Sequence, residues 1–147
     1  IASALLGPWQ AMVVILIKNI LHIFLFRNPA TPIGELANII ATTAFALPFG
    51  FIYRKYKSKF KNIFTAFIIS GGVATVSITV IAYLSNLFII CPVYFKYLLK
   101  IPFDRNFTIG YANASLLFNF IQGIIIALLS TPVIIALRKS FHNLDNN

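Results

Sequence analysis

Residues 44–64 read AFALPFGFIYRKYKSKFKNIF, an apolar run, then Arg54, Lys55, Lys57, Lys59 and Lys61 within eight positions, then the start of a second apolar run. Lys and Arg are costly in hydrocarbon and gather in the short cytoplasmic loops of membrane proteins, so this stretch predicts two membrane-spanning helices joined by a cationic turn. Working outward, the run that ends at the turn covers residues 34–53. The run that follows covers residues 64–99, longer than the roughly 20 residues of a perpendicular helical span. Asn86 and Pro92 in its far half predict one helix with a bent outer end. A further span covers residues 8–26, opened by Gly7-Pro8 and closed by Arg27-Asn28-Pro29. The last covers residues 112–137 and is stopped by Arg138 and Lys139. Residues 100–111, with Pro102, Asp104, Arg105 and Asn106, are expected as a polar outer loop, and residues 140–147 as a frayed polar tail. With the basic stretch 54–61 in the cytoplasm, alternation puts the C-terminus there too.

Composition supports this reading and narrows function. Of 147 residues 59% are hydrophobic and only 10% charged, with a mean hydropathy of +0.88, whereas soluble domains carry about a quarter charged residues. The expected fold is all-α, a single polytopic membrane bundle over residues 1–147, in contact with lipid. The net charge of +9 reflects basic residues bunched between apolar runs, which topology explains better than nucleic-acid binding. With Glu35, Asp104 and Asp145 as the acids, paired-carboxylate hydrolysis and carboxylate-held metals are not readily built, and no enzyme is expected. The single cysteine, Cys91, excludes a disulfide framework. His22 and His142 fall on opposite sides of the membrane, so no metal site is expected. The chain starts at Ile1 inside an apolar stretch without Met or a charged leader, and its natural N-terminus is expected upstream.

Hydrocarbon penalises polar groups, so those within spans are the informative ones. Lys18, Asn19 and His22 share one helix at spacings of three and four residues; Glu35 and Asn38 occupy the first turns of the next. Asn86 lies near the outer end of the long run, and Asn119 and Gln122 are one turn apart on the last helix. Lys18 either snorkels to the interface, neutralises Glu35 or faces a ligand. Asn86 either satisfies carbonyls freed by a kink at Pro92 or lines a cavity. Asn119 with Gln122 either joins helices or hydrogen-bonds a planar heterocycle whose edge alternates N–H and C=O groups. Gly71 and Gly72, with Ala74, Thr75 and Ser77, form a small-residue patch suited to close helix packing. Tyr83, Phe88, Tyr94, Phe95, Tyr97, Phe103, Phe107 and Tyr111 cluster toward the outer side, most of them as interface anchors, with stacking on a flat ligand open to a few.

The order of these segments resembles a known family. Gly7-Pro8, Lys18-Asn19-Ile20-Leu21-His22, Gly34-Glu35-Leu36-Ala37-Asn38 and Ala44-Phe45-Ala46-Leu47-Pro48 are similar to the substrate-binding S components of energy-coupling factor (ECF) vitamin importers, specifically the riboflavin group. Ser85-Asn86-Leu87-Phe88 through Pro92-Val93-Tyr94, and Phe118-Asn119-Phe120-Ile121-Gln122-Gly123, resemble that group's fifth and sixth helices. The resemblance implies a six-helix fold, of which this chain supplies the end of helix two through helix six and lacks helix one. It further implies a bacterial plasma-membrane protein that does no chemistry, captures riboflavin or a related flavin from outside, and works with a transmembrane coupling subunit and two cytosolic ATPases. Riboflavin is then a transported ligand, not a cofactor. The site expected on these grounds comprises Asn119, Gln122, Asn86, Asn38 and Lys18. Many relatives carry Asn-x-x-Lys where this chain has Asn119 and Gln122, an amide in place of an ammonium. The alternatives are an S component for another vitamin or a nucleobase-like compound, and a structural membrane subunit.

Overall fold

A computed structural model describes residues 1–26, 31–56 and 63–144. The chain runs through a short α1 (Ala2–Leu5), α2 (Pro8–Leu25), α3 (Thr31–Tyr56), α4 (Ile63–Ser85), a three-residue α5 (Cys91–Val93) between two wide π-helical segments (Asn86–Ile90 and Tyr94–Leu99), and α6 (Arg105–Leu144). Four helices are long and apolar enough to cross a membrane: Pro8–Leu25, Pro32–Tyr56, Phe64–Leu99 and Arg105–Ile134. No strand occurs among the described residues. Lys57, Lys59 and Lys61 of the basic turn, the Arg27-Asn28-Pro29 stop and residues 145–147 lie outside the described residues.

Local chemistry sets the boundaries. Gly7, at φ 125°, precedes Pro8 at the first position of α2; only glycine adopts that φ freely, and proline lacks an N–H that the helix start would leave unpaired. The Arg54 guanidinium occupies the space a Cβ on Gly7 would need and donates to the Leu6 carbonyl at 2.6 Å. Pro92 cannot donate to the carbonyl four residues back. Around it the helix widens, with the Cys91 N–H reaching the Asn86 carbonyl, so the run stays helical to Leu99 and terminates at Lys100 in the left-handed conformation. The loop expected over residues 100–111 is shorter than the sequence reading has it. Asp104 Oδ1 accepts the N–H groups of Asn106 and Phe107 at 2.8 and 3.1 Å, capping α6 so that the polar residues from Arg105 onward form its first turns.

The long helices pack in chain order, α2 on α3, α3 on α4, and α4 on α6. Phe49 and Tyr53 of α3 stack with each other and meet Phe67 of α4 edge-on at 5.0 Å. With Ala4, Ala66, Ala74 and Ile134 they form the core, close to the end where α3 finishes and α4 starts; this is called the basic end below. The α4–α6 seam is built from small residues. A Cβ on Gly71 would stand 2.9 Å from the Ala127 Cβ, and one on Gly123 would stand 2.8 Å from the Thr75 side chain. Four residues forward on α4 correspond to four back on α6, the register of an antiparallel pair. In lipid, where apolar side chains gain nothing by leaving their surroundings, such close backbone approach is what holds helices together. Three buried hydroxyls of α4 are satisfied inside that helix: Ser70 donates to the Ala66 carbonyl, Thr75 to Gly71 and Thr79 to Thr75.

Candidate functional site

Two polar networks lie between the helices, toward the end opposite the basic one. The first joins α2 to α3 through Asn19, which is wholly buried. Its Oδ1 accepts Asn38 Nδ2 at 2.9 Å and Lys18 Nζ at 3.3 Å, while its Nδ2 donates to the Ile15 carbonyl at 2.6 Å. Asn38 Nδ2 also reaches Glu35 Oε2 at 3.4 Å. The second Glu35 oxygen stands 2.8 Å from His22 Nδ1, and the His22 ring lies 4.3 Å from that of Phe26. The carboxylate is thus covered by an imidazole and an amide, whereas the Lys18 ammonium turns to Asn19. Of the alternatives open for Lys18, the structure assigns the buried acid to His22 instead.

The second network joins the π-helical segment to α6. Asn86, buried at the first π turn, donates through Nδ2 to Ser115 Oγ at 2.8 Å. Asn119, also buried, donates through Nδ2 to the Ser115 carbonyl at 2.7 Å. Asn86 and Asn119 therefore converge on one residue from two helices. Gln122 sits one turn further along α6 and lines a different space, a cavity of about 210 Å³ bordered by Ser3, Ile15, Thr42, Phe45 and Ser130. The amide pair of the last helix is divided between a hydrogen-bonded junction and a half-open cavity. That cavity is smaller than the roughly 300–1,000 Å³ typical of ligand clefts, so a three-ring ligand needs more room than it encloses. A second space of about 210 Å³, lined by Tyr94, Phe95, Phe107 and Tyr111, lies between the π segments and the start of α6. Among the described residues no three His, Cys, Asp or Glu side chains group closely enough to hold a metal ion.

Asn19 and Ser115 were absent from the site expected on sequence, yet each is the hub of a network. The signals were present: Asn19 adjoins Lys18, and Ser115 lies one turn before Asn119.

Four long apolar helices joined by polar side chains between them make a multi-pass membrane architecture. The chain belongs to the substrate-specific components of ECF transporters, whose family model matches residues 1–135. It is similar to the riboflavin transporter FmnP of Bacillus subtilis (strain 168), 29% identical over 140 residues that cover 94% of this chain and 71% of that protein. It is also similar to the riboflavin transporter RibU of Staphylococcus aureus (strain TCH60), 30% identical over 128 residues covering 87% of this chain and 64% of that one. No solved structure matches the chain.

Proposed function

We propose that this chain is the subunit of a vitamin importer that captures riboflavin, or a closely related flavin, from the outer side of the bacterial plasma membrane. The observation that carries the reading is the meeting of Asn86 and Asn119 at Ser115, with Gln122 one turn further along α6 beside a neighbouring space too small by itself for a three-ring ligand. Primary amides offer donors and acceptors together, matching the pyrimidine-like edge of a flavin, where N–H and C=O groups alternate. Asn38 and Lys18, held on Asn19, complete the polar wall. Tyr94, Phe95, Phe107 and Tyr111 supply faces on which a flat ring can stack. The relatives named as riboflavin transporters support the same ligand.

In this reading the basic end faces the cytoplasm, as the concentration of Lys and Arg there favours, and the C-terminus lies on that side. The polar networks then lie toward the outside. The subunit binds and does no chemistry; uptake is driven by a transmembrane coupling subunit and two cytosolic ATPases.

Titrating the detergent-purified protein into riboflavin and following flavin fluorescence tests the proposal. Saturable quenching at a one-to-one ratio is expected, since burial against aromatic rings and amides changes the fluorophore's surroundings. A riboflavin signal left unchanged by saturating protein contradicts it.

A further inference from the structure

The polar side chains between α2 and α3 form one continuous series of contacts. His22 Nδ1 stands 2.8 Å from Glu35 Oε1, and Glu35 Oε2 accepts Asn38 Nδ2 at 3.4 Å. The same Asn38 nitrogen donates to Asn19 Oδ1 at 2.9 Å, and Lys18 Nζ donates to that oxygen at 3.3 Å. Glu35 and Asn19 are buried, whereas Lys18 is exposed. The series therefore holds one carboxylate and two basic side chains, and the imidazole is the one that sits on the acid.

The Lys18 end of the series adjoins the space where a ligand is expected. Val14 and Ile15 of α2 and Thr42 of α3 border the half-open cavity that Gln122 also borders. Lys18, Asn19 and Asn38 each stand four residues from one of them on the same helix face, one turn or about 6 Å farther from the basic end.

A carboxylate buried in hydrocarbon draws in whatever cation can reach it, because an uncompensated charge there is costly. Lys18 carries its ammonium on a flexible stem and is already two hydrogen bonds from Glu35. Paired with Glu35, that ammonium would be neutralised and turned away from the cavity. The His22 ring, stacked 4.3 Å from the Phe26 ring, takes the place on the carboxylate.

We propose that His22 is a positioning residue for ligand capture: by occupying Glu35 it leaves the Lys18 ammonium to donate to an oxygen of the bound flavin, an inference that rests on the capture of riboflavin proposed above. An ammonium has donors only, so its partner on the ligand is a carbonyl or hydroxyl oxygen. Without His22, Lys18 swings to Glu35 and the ligand loses a charge-assisted hydrogen bond.

Fluorescence titration of riboflavin with the purified protein and its variants tests this, with the melting temperature as the control for folding. His22→Leu is expected to weaken binding by about tenfold or more, the loss of one hydrogen bond from a charged donor. Lys18→Met should do the same, and joining the two should add less than about twofold, because His22→Leu has already withdrawn the ammonium. Adding Glu35→Gln to His22→Leu removes the competing carboxylate and should return the affinity to within about twofold of the unmodified chain. A purely structural His22 gives the opposite pattern, each further change in the series deepening the loss. The pair His22→Leu with Glu35→Gln leaves no carboxylate unpaired, so it decides the matter even if His22→Leu alone does not fold. An affinity of that pair still about tenfold below the unmodified chain overturns the proposal, as does unchanged binding in a folded His22→Leu. An unmodified chain that binds no riboflavin ends the riboflavin reading and this inference with it, whereas saturable riboflavin binding with additive losses ends this inference alone.

Discussion

Replacing Asn119 and Gln122 together by alanine is expected to weaken riboflavin binding by about 100-fold or more while the protein stays folded. Each truncation withdraws an amide from the proposed ligand edge and leaves a polar group of the ligand buried without a partner, which costs about 1–3 kcal/mol per group. Two such losses of about 1.4 kcal/mol each already give a factor of a hundred. The cost to the fold is small because the bond that the buried Asn119 gives up is local to its own helix. The bond from Asn119 runs to a carbonyl on its own helix, and Gln122 borders a cavity. Fluorescence titration of the variant against the unmodified protein checks this, with the melting temperature as the control for folding. Binding unchanged in the double variant would remove both residues from the site, even if riboflavin itself remained the ligand.

The second large effect is on assembly of the bundle. Gly123→Leu should destabilise the protein strongly, whereas Gly72→Leu should leave it nearly untouched. A Cβ on Gly123 would lie 2.8 Å from Thr75 Cγ2 and Oγ1. Thr75 cannot swing away, since it is buried and its hydroxyl is bonded to the Gly71 carbonyl at 2.8 Å. The helices must therefore part, at the cost of the whole seam. Overpacking of this kind costs about 1–3 kcal/mol, and more where backbones must separate. A fall in melting temperature of about 5 °C or more is the expected reading. Gly72 lies next to Gly71 in sequence but faces outward into open space, so the pair of variants separates close helix packing from a general intolerance of leucine.

These two predictions also mark what was legible in the chain before its structure. Spans were legible because hydropathy depends on composition over about 20 residues, and long apolar runs separated by Lys, Arg and Pro survive any rearrangement of neighbours. The helix through Pro92 was readable as bent, but its means, two π-helical segments, was not, because widening the turn is one of several ways to accommodate a missing N–H. Residues 105–111 were read as loop from their polarity. The structure makes them helix because Asp104 caps the start, and a cap followed by polar residues has little hydrophobic period to reveal it.

Pairings inside the site were the least legible part. An amphipathic helix announces its inward face, but α3, α4 and α6 are apolar around most of their circumference and give no phase. Glu35 could be placed near Lys18 in sequence terms, yet only the rotation of α2 against α3 decides that His22 meets the carboxylate and Asn19 meets the ammonium. For the same reason Asn119 and Gln122, neighbours on paper, look into different spaces. The glycine seam was more accessible, since Gly71 within a small-residue cluster signals close approach whichever way the helix turns.

The central claim, capture of a flavin by this chain, is tested most directly by the colour of the protein. Purified by gentle detergent extraction from cells grown in rich medium, it should carry the visible absorption of a bound flavin at close to one per chain, a signal no protein side chain produces. A colourless preparation that also leaves the fluorescence of added riboflavin unchanged would contradict the account.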